Sequence, residues 1–174
     1  MKALVLAFMG GVVVGVVVVP AVIYAWFAGG NAPVAVTAPP MPFEKRLART
    51  ALHARMDAEL PAVGKSPIEA TEAHLLQGAH LYKQQCAICH GTSPTVTNPI
   101  AVGLFPLPPK LFDGHGVTDD EAAESFWKIS NGIRLTGMPG FAGALSVEQM
   151  WELSLLLVQA NQLPPAVASV LAAP

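Results

Sequence analysis

The sequence predicts an all-α protein, because helix signals occupy most of the chain outside one long loop. An apolar stretch of 26 uncharged residues, Ala3–Ala28, is long enough for a helix that crosses a membrane. Further along, apolar periodicity or helix-capping residues predict helices over 44–60, 66–85, 119–130 and 147–160. The residues around the two cysteines show no strand-rich pattern, so no sheet is expected there.

The N-terminal stretch predicts a membrane anchor over residues 1–28. At 1.5 Å per residue, a helix of this length crosses a hydrocarbon core of about 30 Å with some tilt. A cleaved signal peptide is the alternative, but the apolar part of a signal peptide runs about 7–15 residues. Tyr24, Trp26 and Phe27 lie where an interfacial aromatic belt is expected. Charge leaves the orientation open, because Lys2 favours an inside N-terminus while positions 45, 46, 49 and 55 are also basic.

Composition divides the rest of the chain into three segments. Residues 29–65 are predicted to form a Pro/Ala-rich tether and a basic spacer helix, which Pro61 and Gly64 end. Residues 66–163 form the predicted domain, and residues 164–174 form a C-terminal arm. The domain carries nine acidic residues against four basic ones, so no nucleic-acid partner is expected.

Capping residues mark the starts of two helices in the domain. Ser66 begins a stretch with the form of a capping box, although Thr71 is an alternative N-cap for the same helix. Ser146 and Gln149 form a second capping box ahead of the last predicted helix. Residues 91–117 are rich in Pro and Gly, and a long irregular loop in a compact domain is usually functional.

The only two cysteines, Cys86 and Cys89, lie in the stretch CAICHG, with His90 directly after the second. This spacing fits a dithiol redox pair, half of a zinc site or a covalent haem anchor. A structural zinc site needs a second ligand pair, which this sequence does not supply at matching spacing, and a thioredoxin-like dithiol needs a βαβ context. The adjacent histidine favours haem, held by two thioethers with His90 as proximal iron ligand.

A haem iron held by His90 needs a sixth ligand or an open distal side. Met138 lies in the Gly- and Pro-punctuated loop NGIRLTGMPGF, 48 residues after His90. A thioether suits haem iron, so Met138 is the predicted sixth ligand, and His115 in DGHG is its rival. Met150, next to Trp151 on the last predicted helix, is expected in the core.

Four stretches in this order, GAHLYKQQCAICHG, FPLPPKL, FWKISNGIRLTGMPGF and LSVEQMWELSLLL, resemble a class I monohaem cytochrome c over about residues 70–162. The resemblance is closest to the haem domains of cbb3-type oxidase subunits. It implies an all-α class I cytochrome c fold wrapped around one covalently bound haem c. Here a transmembrane helix and a spacer helix precede it, which the small soluble members lack. It also implies that a carbonyl of the proline-rich loop accepts the Nδ1–H of His90, without saying which carbonyl.

The resemblance also implies how the helices cross and which side chains meet the haem. Gly78 and Tyr82 match the crossing of the helix before the haem motif with the C-terminal helix, where Trp151 and Leu155 are the expected partners. The side chains expected at the haem are Trp127 and Arg134 at the propionates, with Tyr82 and Ile133 packed against the ring.

The expected function is a membrane-anchored c-type cytochrome that carries single electrons between the redox donor and acceptor proteins of a respiratory chain. Covalent haem attachment is a process of the outer face of the cytoplasmic membrane, so a single-pass protein with its haem domain in the periplasm is expected. A permanent haem c subunit of a respiratory or dehydrogenase complex is the alternative. A haem-based sensor or peroxidase would need a polar distal pocket, for which only Thr136 is at hand. No enzymatic activity and no small-molecule substrate are expected.

A short acidic helix, predicted to follow Thr118, suggests a docking face for a basic partner. The same acids also suit a helix N-terminus, where negative charge is favourable, and both interpretations stand at this point. The four acidic residues are Asp119, Asp120, Glu121 and Glu124.

Overall fold

The computed structural model of the chain describes residues 2–92, 98–112 and 120–173, and within these ranges every regular element is helical. The predicted all-α fold is therefore confirmed. The chain divides into two compact units, one ending at Leu47 and the other beginning at Ala48. In chain order the elements are α1 Lys2–Val13, a π-helical turn Val14–Val18, α2 Val19–Ala28, α3 Glu44–Val63, α4 Glu72–Gln85, α5 Ala87–His90, α6 Pro99–Val102, α7 Ala122–Asn131, α8 Val147–Val158 and α9 Pro165–Ala172.

The first unit is dominated by the apolar helix predicted from the sequence. The stretch Ala7–Ala28 is long and apolar enough to cross a membrane, and none of it is buried within the protein. The wide π-helical turn comes just before Pro20, which has no N–H to give to the carbonyl four residues back. Gly30, at φ 75°, ends the helix, and the Asn31 side chain donates to the Trp26 carbonyl at 3.0 Å.

Helix α3 is longer than the sequence predicts, since it continues through Pro61 to Val63. A proline in the last turn removes one intrahelical hydrogen bond without opening the turns before it. Gly64, at φ 71°, ends the helix, and its N–H donates to the Leu60 carbonyl at 3.2 Å. Met56 on this helix is almost completely buried, at 1% exposure. Residues 48–63 thus belong to the second unit and are more than a solvated spacer.

The core of the second unit forms where α4 crosses α8 at Gly78. A Cβ atom at this position would lie 2.5 Å from the Glu152 carbonyl oxygen, so the two backbones approach too closely for any other residue. The crossing therefore meets Glu152 and Leu156, one helix position beyond the expected Trp151 and Leu155. The buried apolar core consists of Leu75, Ala79, Tyr82, Ile129, Met150, Leu153, Leu156, Leu157, Val167 and Leu171.

The C-terminal segment, which the sequence analysis describes as an arm, is a helix that contributes to this core. Residues Pro165–Ala172 form α9, which packs against α4. Val167 and Leu171 lie one turn apart on α9 and are 0% and 4% exposed. The Lys83 ammonium also donates to the Ala173 carbonyl at 2.8 Å. The segment folds because Pro165 fixes the first helical turn and the two apolar side chains share one face.

Two of the predicted capping residues, Thr71 and Ser146, cap helices in the structure. Thr71, the alternative N-cap, accepts from the His74 N–H at 3.3 Å, whereas Ser66 forms a local turn with Ile68. The Ser146–Gln149 capping box is confirmed in both directions, at 3.1 and 2.9 Å. Helix α7 begins after Glu121; the predicted cap Thr118 and Asp119 lie outside the described residues.

Candidate functional site

The cysteine motif directly follows the end of α4. Cys86 is the C-cap of α4, and its N–H donates to the Tyr82 carbonyl at 2.8 Å. The motif then forms the single turn α5, which ends at Gly91 with φ 71°. The Tyr82 hydroxyl donates to the Gly91 carbonyl at 2.6 Å, so the buried tyrosine ties the end of the motif to α4. Both cysteines are free and half-buried.

The chemistry of Cys86 argues against a dithiol redox pair. Burial, followed by the nearby Cys89, raises the pKa of the Cys86 thiol to about 12. A reactive dithiol needs a lowered thiol pKa, because the thiolate is the nucleophile. The buried thiol is better suited to a permanent covalent bond than to reversible thiol exchange.

His90 is oriented by the proline-rich loop. Its Nδ1 lies 2.7 Å from the Pro109 carbonyl oxygen, and because a carbonyl only accepts, Nδ1 carries the hydrogen. The other ring nitrogen, Nε2, therefore keeps a lone pair for a metal. Burial lowers the pKa of His90, and the hydrogen bond to Pro109 partly offsets that effect. The imidazole is thus held neutral, which is the form that binds iron.

Met138 lies on a loop that closes on itself between α7 and α8. The Ile133 N–H donates to the Met138 carbonyl at 3.2 Å. The Thr136 hydroxyl donates to the Ile133 carbonyl at 2.7 Å and accepts from the Met138 N–H at 3.1 Å. At Gly132, with φ 66°, an added Cβ would lie 2.5 Å from the Gly140 nitrogen. These contacts fix the backbone that carries the Met138 thioether.

The motif and the Met138 loop line the same cavity, an open cleft with a volume of about 120 Å³. Mostly apolar walls with a few polar groups are typical of small-molecule and cofactor sites. The donor set of two thiols, a neutral imidazole and a thioether fits a covalently attached haem with Met/His iron ligation. The lining side chains are Gln85, Cys86, Cys89, His90, Leu104, Pro106, Leu107, Pro108, Pro109, Ile133, Thr136, Gly137, Met138, Pro139 and Phe141.

The remaining residues expected at the haem lie in different places. Ile133 lines the cavity, whereas Tyr82 lies behind the motif with its ring edge-on to Phe112 at 4.9 Å. Trp127 is 7% exposed, and its indole N–H donates to the Glu59 carboxylate at 2.7 Å. Arg134 is exposed and makes no ion pair with any described residue. The rival ligand His115 lies outside the described residues.

Glu59 is a residue whose role the sequence did not indicate. It accepts from Trp127 and also forms an ion pair with Arg55, one turn earlier on α3. In the acidic segment, Lys128 pairs with Asp120 at 2.6 Å and with Glu124 at 3.5 Å. Both acids are thus partly neutralised, which weakens the interpretation of this segment as a docking face for a basic partner.

The match to a known protein family supports the haem assignment. Residues 73–155 match the family model described as cytochrome c oxidase, cbb3-type, subunit III. A chain in the solved structure of the reducing HAO-like protein complex of Kuenenia stuttgartiensis is 25% identical, with a TM-score of 0.49. The match covers 56% of this chain and 48% of that one, so it spans about half of the solved chain. No curated protein matches the sequence.

Proposed function

Since residues 73–155 form a cytochrome c domain, which holds haem c covalently, we propose that this protein is a membrane-anchored cytochrome that carries single electrons between redox proteins on the periplasmic face. One observation carries the proposal: a cysteine motif with an Nδ1-anchored His90 forms one wall of a cavity, and Met138 lies on another. Haem c supplies an iron that cycles between the ferrous and ferric states.

The chain's own side chains then have separate roles. Cys86 and Cys89 would hold the haem through two thioethers, His90 would offer Nε2 to the iron, and Met138 would supply its thioether sulphur. The apolar lining, including Ile133, keeps water away from the site. Tyr82 supports the motif from behind through its hydrogen bond to the Gly91 carbonyl.

For the propionates, Arg134 is the proposed cationic partner, because an exposed guanidinium can reach a carboxylate bidentately. A propionate contact from Trp127 requires its N–H to leave Glu59, since this single donor is already used at 2.7 Å. The Arg134 contact therefore breaks no described ion pair, whereas the Trp127 contact requires the hydrogen bond to Glu59 to break first.

The environment of Met138 favours electron transfer over substrate chemistry. A peroxidase or gas sensor needs polar groups on the distal side of the haem. Thr136 is the polar side chain nearest to Met138 in sequence, and its hydroxyl is used within the loop. We therefore assign no small-molecule substrate and no enzymatic activity.

Membrane anchoring through an uncleaved helix is part of the proposal. It is supported by the stretch Ala7–Ala28, which has a mean hydropathy of 2.4 and no buried residue. We propose a single span in the cytoplasmic membrane with the haem domain in the periplasm. The folded domain is proposed to run from Ala48 through Ala173, because α3 and α9 both contribute buried residues to its unit.

The surroundings of the cavity suggest that the partners are proteins. Leu135 is 93% exposed at φ 60°, and Leu107, which lines the cavity, is 66% exposed. Exposed apolar side chains beside a cofactor cleft are typical of a protein-docking surface. We propose redox donor and acceptor proteins of a respiratory chain as the partners, and permanent association with a larger complex is the second candidate.

The test is affinity purification of the full-length protein from native membranes, with haem staining of what co-purifies. A diffusing carrier migrates alone after detergent extraction and shows one haem per chain that is oxidised and reduced reversibly. A permanent subunit migrates with the same partners in every detergent. A haem that is absent, or one that is removed by acidified acetone, would overturn the cytochrome assignment.

A further inference from the structure

A cluster of one histidine and two carboxylates lies away from the haem cavity, at the other end of α4. A ring nitrogen of His74 and one oxygen each of Glu148 and Glu152 lie within 4.8 Å of one another. His74 is the third residue of α4, whereas Cys86 follows its last residue. Glu148 and Glu152 are one turn apart on α8, so both face the same side of that helix.

His74 is already oriented as a metal ligand would be. Its Nδ1 lies 2.7 Å from the Glu69 carbonyl oxygen, so Nδ1 donates its hydrogen there and Nε2 keeps a lone pair. A histidine that binds a metal almost always gives its other N–H to such an acceptor, which fixes the tautomer and the ring orientation. Glu69 lies outside the cluster and supplies this bond through its backbone.

Glu152 gives the second, independent observation. The residue is 7% exposed, and its carboxylate makes no hydrogen bond or ion pair with any part of the chain that the structure describes. Its backbone is fixed because the Glu152 carbonyl meets Gly78 at the crossing of α4 and α8. The carboxylate oxygens keep some contact with solvent, so a cation can reach them.

One member of the cluster can move. Glu148 is exposed and can swing towards the other two groups. With bonds of about 2.0–2.2 Å, a tetrahedral zinc ion needs its ligand atoms about 3.3–3.6 Å apart. The separations of up to 4.8 Å must therefore shorten, which movement of the exposed Glu148 side chain allows.

We propose that His74, Glu148 and Glu152 bind one divalent transition-metal ion, and that Zn²⁺ fits this donor set best. One imidazole nitrogen and two carboxylate oxygens leave a fourth tetrahedral position for water. The ion joins the first turn of α4 to the first two turns of α8, the two helices whose crossing organises the core. The site is therefore structural, and its occupancy stabilises the helix that leads to the haem motif.

The experiment uses the full-length holoprotein in detergent, stripped of loosely bound metal with a chelator. Zn²⁺ is titrated in competition with a chromophoric zinc indicator, and the expected stoichiometry is one ion per haem. His74→Ala and Glu148→Gln should each weaken binding by about tenfold or more. The matched control is His80→Ala, which removes an exposed histidine of the same helix outside the cluster; its affinity should equal the parent's.

X-ray absorption at the zinc edge gives a readout that the haem iron does not affect. The expected first shell contains nitrogen and oxygen and no sulphur, with imidazole scattering that disappears in His74→Ala. Zn²⁺ should also raise the unfolding temperature of the parent by several degrees but leave that of Glu148→Gln unchanged. Glu148 is exposed, so this variant is expected to fold even where Glu152→Gln does not. Substoichiometric binding, or binding unaffected by both cluster variants, overturns the proposal.

Discussion

Two walls of the haem cavity each adjoin a glycine, and both glycines have the same rare backbone conformation. The two walls are nevertheless held in place by different contacts. Gly91, at φ 71° and ψ 169°, follows His90, and Gly132, at φ 66° and ψ −174°, precedes the Met138 loop. The His90 wall depends on distant parts of the fold, since Tyr82 on α4 and the Pro109 carbonyl hold it. The Met138 wall is closed by four hydrogen bonds within residues 133–138.

This difference predicts how each wall of the cavity responds to amino-acid substitutions. The His90 wall is tied to the core and, in the proposed holoprotein, to two covalent bonds, so it should resist local substitutions. The Met138 wall depends on a short local hydrogen-bond network, in which the Thr136 hydroxyl takes part twice, and on a close glycine contact. A weakly held ligand loop is expected to open before the whole domain unfolds. The predictions below follow this contrast, from the largest expected effect to the smallest.

The largest effect should come from breaking the covalent attachment of the His90 wall. Cys86→Ala or Cys89→Ala leaves one sulphur to bond the porphyrin, so each variant should give a shifted pyridine haemochrome spectrum and much less holoprotein. The matched control is Ile88→Ala, between the two cysteines and 48% exposed, which should keep the parent spectrum. Identical spectra for both cysteine variants and the parent would refute covalent attachment through these residues.

Gly132→Ala should destabilise the entry to the Met138 wall. The φ and ψ values of Gly132 lie in a region that is essentially restricted to glycine, and this alone costs about 1–3 kcal/mol. The added Cβ also meets the Gly140 backbone at 2.5 Å, so the loss of unfolding free energy should exceed that range. Denaturant unfolding measures it, with Gly143→Ala as the control, because no atom lies within 4 Å of its new Cβ. Equal losses in the two variants would contradict the strain argument.

Met138→Ala should remove the weak near-infrared band of ferric iron bound to methionine sulphur. The reduction potential should fall, because the thioether favours the ferrous state; the whole range accessible to axial ligands is about 0.8 V. Spectroelectrochemistry measures both quantities. Met150→Leu is the control, since Met150 is a buried core residue at 3% exposure. An unchanged spectrum in Met138→Ala would redirect the assignment to His115.

Thr136→Val should loosen the Met138 wall without unfolding the domain. It removes the hydroxyl that joins the Ile133 carbonyl to the Met138 N–H, a loss of about 1–3 kcal/mol. The near-infrared band should disappear at a lower temperature than in the parent, while far-ultraviolet circular dichroism still reports a folded domain. Thr136→Ser keeps the hydroxyl, so its near-infrared band should persist to the same temperature as in the parent. Simultaneous loss of both signals would mean that the loop does not open independently.

The smallest effect should come from Tyr82→Phe on the His90 wall, about 1 kcal/mol at neutral pH, because one hydrogen bond to the Gly91 carbonyl is lost. Burial raises the pKa of the Tyr82 phenol well above its ordinary value of 10.0. The neutral phenol therefore stabilises the fold below about pH 10, and this contribution declines as the pH rises further. Unfolding measured between pH 8 and about 11 should show a steeper decline in the parent than in Tyr82→Phe. Parallel curves would contradict this assignment.

Local signals in the sequence determined many features of the fold. The apolar run predicted the N-terminal helix, and the Ser146–Gln149 box predicted the start of α8. Thr71 was only the alternative start of α4, and the close helix crossing at Gly78 was implied by the family resemblance. The cysteine motif and the Met138 loop were both identified, and the structure brings them to one cavity. These features were predictable because each depends on residues within about one helical turn or on a motif of fixed spacing.

Tertiary structure decided the features that join residues far apart in the chain. Pro109 holds His90 across 19 positions, and Glu59 meets Trp127 across 68, so neither partner is encoded locally. The segment 165–172 is a core helix because α4 offers its two apolar side chains a surface, and α3 continues beyond Pro61 because the helix loses only one bond there. Local residues determine which backbone conformations are low in energy. The group that a buried polar or apolar side chain contacts depends on the folded chain as a whole.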